Sequence, residues 1–203
     1  MRREREVKLR IPDPAHFARL SAALPALGEQ RQRNHYFDAP GLPLSRAGVL
    51  VRVREEGSAL LLTVKRGVER APGRIESEEW EVALSPATWA IVREGRVPLV
   101  EAARFDPLDA VAVGLALRVV GSLENRRRLR RGPRGEVYEL DETTFPWGEV
   151  RHEVEIESDD PVAALGEARR LLDGLGVAYE TSVETKHERL LRGPAGPGGR
   201  AER

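Results

Sequence analysis

The chain has 203 residues and a formal net charge of zero at pH 7, although Asp, Glu, Lys and Arg make up 33% of it. This balance argues against a general nucleic-acid or membrane binder, and the absence of cysteine excludes disulfide bonds and cysteine-ligated metals. The sequence shows neither an apolar leader nor an apolar run of bilayer length. We therefore expect one cytoplasmic domain over residues 1–192, followed by a disordered tail rich in Gly and Pro, 193–203.

In chain order, the sequence predicts helices interspersed among more numerous strands. Asp-Pro and Ser-Pro pairs indicate helix starts, and Pro or Gly indicates the ends. Helices are predicted from Asp13 to near Pro25, from Ser85 to Gly95, around Asp109, and from Asp160 to Gly174. Strands are predicted at 3–11, 34–38, 48–55, 59–66, 76–84, 116–131, 136–142 and 149–157. This pattern is typical of an α+β fold with a large, mostly antiparallel sheet.

The predicted strands place charge on one face and apolar residues on the other. In the first strand, Glu4, Glu6 and Lys8 alternate with Val7 and Leu9, and most later strands repeat this alternation. One structure that produces it is an open sheet whose charged face meets water. The other is a closed barrel whose apolar face packs outward under helices and whose charged face lines a tunnel. Closely spaced acidic and basic pairs favour the tunnel, because they suit a ligand of both signs, such as a metal–polyphosphate complex.

Several motifs in order resemble the CYTH superfamily, the triphosphate tunnel metalloenzymes, from about Arg3 to Leu191. They are the E-x-E-x-K run at 4–8, HYFD at 35–38, VRVR at 51–54, TVK at 63–65, RIESEEWE at 74–81, ENRRRLRR at 124–131, the segment 140–157, and TKHERLL at 185–191. The resemblance implies an eight-stranded antiparallel closed β-barrel with a charged lumen and helices packed outside. It also implies that this tunnel binds a triphosphate together with Mg²⁺ or Mn²⁺.

The resemblance assigns roles that suit the chemistry of each residue type. Arginine forks and lysine point charges bind phosphate oxygens, and hard divalent cations prefer carboxylate oxygens. The implied phosphate ligands are Lys8, Arg52, Arg54, Lys65, Arg127 and Lys186. The implied metal ligands are Glu4, Glu6, Glu79, Glu81, Asp141, Glu153 and Glu155, and the implied catalytic residues are Glu4, Glu6 and Lys8.

Some of these assignments have alternatives. Arg127 is chosen within its basic run by comparison with the family and because its two neighbours would face the other way, a choice that could be wrong by one residue. The E-x-E-x-K run could instead form a surface salt-bridge ladder, and Lys186 could be a solvated helix residue. Lys8 could transfer a proton as a neutral amine, but nearby anions favour its charged form.

The predicted function is metal-dependent hydrolysis of the terminal phosphoanhydride of a triphosphate, with inorganic triphosphate as the preferred substrate. The alternatives are a thiamine triphosphatase, an adenylate cyclase of the CYTH type, and a polyphosphate-binding module without activity. The only expected partner is the small-molecule triphosphate, with no nucleic acid or membrane, and the protein is expected to be a monomer or homodimer.

Overall fold

The computed structural model describes residues 1–182 and 184–194, without the side chain of Val68. The predicted disordered tail lies outside the described residues apart from Gly193 and Pro194. The strands in the described part are β1 (Arg2–Arg10), β2 (Ala26–Asp38), β3 (Leu50–Glu56), β4 (Ala59–Ala71), β5 (Arg74–Ala83), β6 (Arg118–Arg131), β7 (Val137–Thr144), β8 (Val150–Glu157) and β9 (Glu180–Thr181). The helices are α1 (Pro14–Ala23), α2 (Pro43–Arg46), α3 (Pro86–Arg93), α4 (Leu99–Ala103), α5 (Asp106–Val111), α6 (Pro161–Gly174) and α7 (Lys186–Arg192).

The sheet closes on itself through its first strand. Hydrogen-bonded neighbours run in the order β5-β4-β3-β2-β6-β7-β8-β1, and β1 also pairs with β5. All these pairings are antiparallel, with Glu4 opposite Ser77 on one side of β1 and Lys8 opposite Glu155 on the other. The short β9 pairs with the end of β1, at Leu9 and Arg10, beyond the last β5 partner. The predicted eight-stranded antiparallel closed barrel is therefore confirmed.

Helix starts follow the predicted signals. The side chains of Asp13, Ser85 and Asp160 cap α1, α3 and α6, and a proline follows each of them. The largest difference from the prediction is β2, which begins at Ala26 rather than at Asn34. Its first half has polar residues on both faces and therefore lacks the alternation that identifies a strand.

The hydrophobic core lies outside the barrel, between its apolar surface and the helices. One cluster joins outward residues of β1, β7 and β8, including Leu9 and Val154, to α1 and α6. A second joins outward residues of β3 and β4, including Val53, to α3, α4 and α5, with Trp80 packed against it. This confirms the predicted outward direction of the apolar faces. Within the described residues, none of the helices has the length and hydrophobicity that a bilayer-spanning segment requires.

Because α6 covers the apolar surface of β1 and β8, its buried face should contribute strongly to stability. Leu172 is fully buried in this cluster, whereas Val162 on the same helix is 62% exposed. We expect Leu172→Ala to lower the free energy of unfolding by about 2–5 kcal/mol, through lost burial and a residual cavity. Val162→Ala should change it by less than about 0.5 kcal/mol. Urea denaturation measures both, and equal effects would contradict packing of α6 on the barrel.

Candidate active site

The inward faces of the strands enclose a tunnel with a cavity of about 740 Å³. Its wall includes most of the predicted site residues, together with residues of α7. Those that line the cavity directly are Glu4, Glu6, Lys8, Arg52, Arg54, Lys65, Glu79, Glu81, Arg127, Glu155 and Lys186. Asp141 and Glu153 are buried beside it and contact Lys186. The fold thus brings every predicted site residue to one region.

The inward residue of the basic run on β6 is Arg127. It donates to both oxygens of Asp141, at 2.8 and 2.7 Å, and to Glu155 at 2.8 Å. Arg126 pairs with Glu29 on the outside of the barrel, while the guanidinium of Arg128 lies over the ring of Phe17 on α1. The alternation along the strand therefore selects the predicted arginine.

Lys8 lies on the acidic side of the tunnel. Its Nζ is 3.0 Å from Glu153 Oε2 and 2.5 Å from Glu155 Oε1, and the side chain is 3% exposed. Burial lowers the pKa of Lys8, but the two carboxylates outweigh this and raise it above its ordinary value. Lys8 is therefore a cation at neutral pH in this arrangement.

Lys186 enters the same side of the tunnel from the start of α7. Its Nζ lies 2.7 Å from Asp141 Oδ2, 2.6 Å from Glu155 Oε1 and 3.2 Å from Glu153 Oε2. Although burial alone would raise the pKa of Glu155, the cations Lys186, Lys8 and Arg127 hold it well below its usual range. This half of the tunnel is thus an ion-paired network rather than a set of free carboxylates.

The opposite side carries arginines with incomplete neutralisation. The shortest ion pairs of Arg52 and Arg54 are long, at 3.8 Å to Glu79 and 3.9 Å to Glu56. Both Nε atoms are buried without a hydrogen-bond partner among the described residues. Repulsion from Arg52 is the largest of the effects that lower the pKa of Arg54. Burial and Arg127 lower it further, to about 10. An anion between these side chains would relieve both the repulsion and the missing hydrogen bonds.

Lys65 connects the two strands that close the barrel. Its Nζ contacts the carboxylate of Glu4 and lies 3.4 Å from Glu79 Oε1. Ser77 Oγ also donates to Glu4, at 3.1 Å. Burial raises the pKa of Glu4, but the charge and hydrogen bond of Lys65 outweigh burial. The net pKa is below its ordinary value, so this carboxylate is ionised.

Glu6 differs from the other tunnel carboxylates. Among the described residues, nothing forms a hydrogen bond or ion pair with its carboxylate. Burial is the largest cause that raises the pKa of Glu6, and repulsion from Glu155 is the next. Together they bring it to about 8. Glu81, on the adjacent strand β5, accepts a hydrogen bond of 3.1 Å from Thr63 Oγ1.

The tunnel also contains residues that the sequence did not predict as site residues. Glu139 contacts Arg127, and burial, partly opposed by Arg127, raises the pKa of Glu139 to about 7. It could have been found because it shares the inward alternation of Asp141. Asn125 donates to Gln32 at 3.1 Å in the tunnel wall. Gln32 was missed because the first half of β2 was not predicted as a strand.

The acidic side has the oxygen donors that a divalent cation needs, although its carboxylates are not arranged as a metal site in this structure. Within the described chain, no three acidic or histidine side chains converge as a ready metal site, since lysines and arginines lie between the carboxylates. Even so, the unpaired carboxylate of Glu6 lies close enough to Glu155 and Glu4 for both to raise its pKa. Carboxylate oxygens are the protein ligands that Mg²⁺ and Mn²⁺ prefer. The residues present therefore suit such an ion.

Solved structures with the same fold include three that match nearly the whole chain. HpAC1 from Hippeastrum, a candidate adenylyl cyclase with a dominant triphosphatase activity, is 27% identical with a TM-score of 0.86, covering 96% of this chain and 98% of its own. A candidate adenylate cyclase from Bacillus halodurans is 22% identical with a TM-score of 0.68, covering 92% of this chain and 97% of its own. PH1819 from Pyrococcus horikoshii OT3 is 18% identical with a TM-score of 0.61, covering 92% and 98%. The last two show a shared fold.

No curated protein sequence matches the chain. The family model of the CYTH domain, by contrast, matches residues 2–186, which span the barrel and end at the lysine that α7 places in the tunnel. Because the family model matches nearly the whole chain and the barrel is closed and lined with charge, the chain belongs to the CYTH domain family.

Proposed function

We propose that the protein is a metal-dependent triphosphatase whose preferred substrate is inorganic triphosphate. The main support is the arrangement of incompletely neutralised Arg52 and Arg54 across a closed tunnel from buried carboxylates. A triphosphate carries several negative charges, and its hydrolysis is catalysed mainly by positioning and charge neutralisation. The dominant triphosphatase activity of HpAC1 from Hippeastrum, which is similar to this chain, supports the same activity.

In this proposal the basic side chains bind the phosphate oxygens. Arg52 and Arg54 have free Nε donors, which suit bidentate contacts with phosphate. Lys65 on the adjacent strand β4 and Arg127 on β6 extend the set, and Lys8 and Lys186 face it from the acidic side. The raised pKa of Lys8 supports its role as a fixed cation rather than as a proton acceptor.

The carboxylates would hold Mg²⁺ or Mn²⁺ against the bound triphosphate. The proposed ligands are Glu4, Glu6, Glu79, Glu81, Asp141, Glu153 and Glu155, and Glu4 and Glu6 are also proposed, with Lys8, as catalytic residues. When bound, such an ion neutralises phosphate charge and activates water for attack. The chain itself contributes the placement of the oxygens, since the closed barrel fixes the strands that carry them.

A substrate panel tests this function directly. We expect phosphate release from inorganic triphosphate to exceed that from ATP and thiamine triphosphate, with Mg²⁺ or Mn²⁺ present. Chelation with excess EDTA should abolish turnover. Cyclic AMP as the main product from ATP, or faster hydrolysis of thiamine triphosphate, would replace the proposal with one of those activities. Binding of triphosphate without turnover under all conditions would indicate a polyphosphate-binding module.

Two neighbouring arginines on β6 provide a matched test of the phosphate contacts. Arg127 points into the tunnel, whereas Arg126 is 42% exposed on the outer face. We expect Arg127→Met to lower kcat/KM for triphosphate by about tenfold or more, because a charge-assisted contact is lost. Arg126→Met should stay within about twofold of the parent. Similar losses in both variants would contradict phosphate binding inside the tunnel.

The raised pKa of Glu6 predicts a pH dependence of stability in protein freed of metal. The folded state keeps the Glu6 proton up to about pH 8, while the unfolded state releases it near 4.5. Stability should therefore fall as pH rises through this window, because the folded state binds more protons there. Glu6→Gln should reduce the slope of Tm against pH, although Glu139 also contributes. The same change at exposed Glu101 is the control, and an unaltered slope in Glu6→Gln would contradict the raised pKa.

A further inference from the structure

The short helix α7 is attached to the turn between β7 and β8 by a buried arginine. Arg189 is 3% exposed, and its Nε donates to Glu149 Oε1 at 3.2 Å while a second guanidinium nitrogen contacts Oε2. The guanidinium also lies over the ring of Trp147, 5.0 Å from its centroid. Charge pairing and cation–π contact therefore act on one side chain.

Glu149 is held in place from several directions. Trp147 Nε1 donates to it at 2.9 Å and Arg151 Nε at 2.6 Å, in addition to the contacts of Arg189. Burial raises the pKa of Glu149, but these hydrogen bonds outweigh burial and lower the pKa to about 2. The carboxylate is therefore ionised across the neutral range and offers Arg189 a fixed partner.

The attachment matters for the tunnel because α7 also carries Lys186. The two residues are three positions apart, close to one helical turn, on a helix of 7 residues. A helix this short has little stability of its own, so tertiary contacts must set its orientation. Lys186 meets three carboxylates within 3.2 Å, a placement that a small rotation of the helix would disrupt.

We propose that Arg189, through Glu149, is a positioning residue that holds Lys186 in the tunnel. Arg189 itself lies outside the cavity and touches neither the proposed phosphate ligands nor the carboxylates of the acidic side. The placement of Lys186 by Arg189 is independent of the proposed function, whereas its consequence for triphosphate affinity rests on that function. The two can be measured separately.

The sequence offers an internal control for the first measurement. Lys8, Lys65 and Lys186 are all the lysines of the chain, and all line the tunnel. Trace acetylation with acetic anhydride, followed by peptide mass spectrometry, reports the exposure and basicity of each amine in one sample. Arg192, on the same helix, is 62% exposed and pairs with Glu184, so Arg192→Met is the matched control for Arg189→Met.

We expect Arg189→Met to raise the acetylation rate of Lys186 by about tenfold or more, because the lysine leaves its carboxylate partners. Lys8 and Lys65 should stay within about twofold, and Arg192→Met should leave all three rates unchanged. Glu149→Gln keeps the shape of the partner without its charge and should reproduce the effect even if Arg189→Met folds poorly. An unchanged Lys186 rate in Glu149→Gln, or a parallel rise at all three lysines, would overturn the proposal.

Triphosphate kinetics form the second measurement. Arg189→Met should raise KM about as much as Lys186→Met, and the double variant should show no further rise, because both changes remove one interaction. Additive effects would mean that Arg189 acts through something other than Lys186, against the proposal. If the parent protein hydrolyses no triphosphate, the proposed function fails, and the acetylation rates alone decide on the positioning role.

Discussion

The structure depends on charges that the closed barrel removes from water. A buried ion is costly unless it is paired, so each lysine of the acidic side lies within ion-pair distance of at least two carboxylates. The network around Lys8 and Lys186 meets this requirement within the protein. The arginines of β3 do not, since their ion pairs are long and their Nε atoms lack partners. The charges are therefore paired within the protein on one side of the tunnel. On the other side they are only partly paired, and an anion would complete the pairing there.

The barrel could be predicted because its strands carry their burial pattern in the sequence. Alternation of period two, together with the family resemblance, selected Arg127 among three successive arginines, and this residue points inward. The first half of β2 could not be found in this way, because Gln30 and Gln32 face inward and charged residues face outward. A strand that separates a polar lumen from water has no apolar face, and only its pairing with β6 identifies it.

The candidate site was predictable to the extent that its residues lie on strands. Lys186 was assigned by the resemblance alone, since it lies on a helix whose direction depends on contacts far from it in sequence. Arg189 and Glu149 gave no periodic signal, and their pairing joins a helix to a turn 40 residues away. Glu139 was missed although its alternation matches that of Asp141, because the resemblance assigned roles to the stronger motifs only.

Closure of the barrel through β1 has a consequence for folding. β1 is synthesised before both strands it must pair with, β5 on one side and β8, near residue 155, on the other. Contacts this distant in sequence form slowly, because a long loop must close before they contribute. Until then β1 remains an unpaired edge that other chains could extend. The charges of Glu4 and Glu6 disfavour such pairing, so two residues that later line the tunnel also make this edge less prone to aggregation.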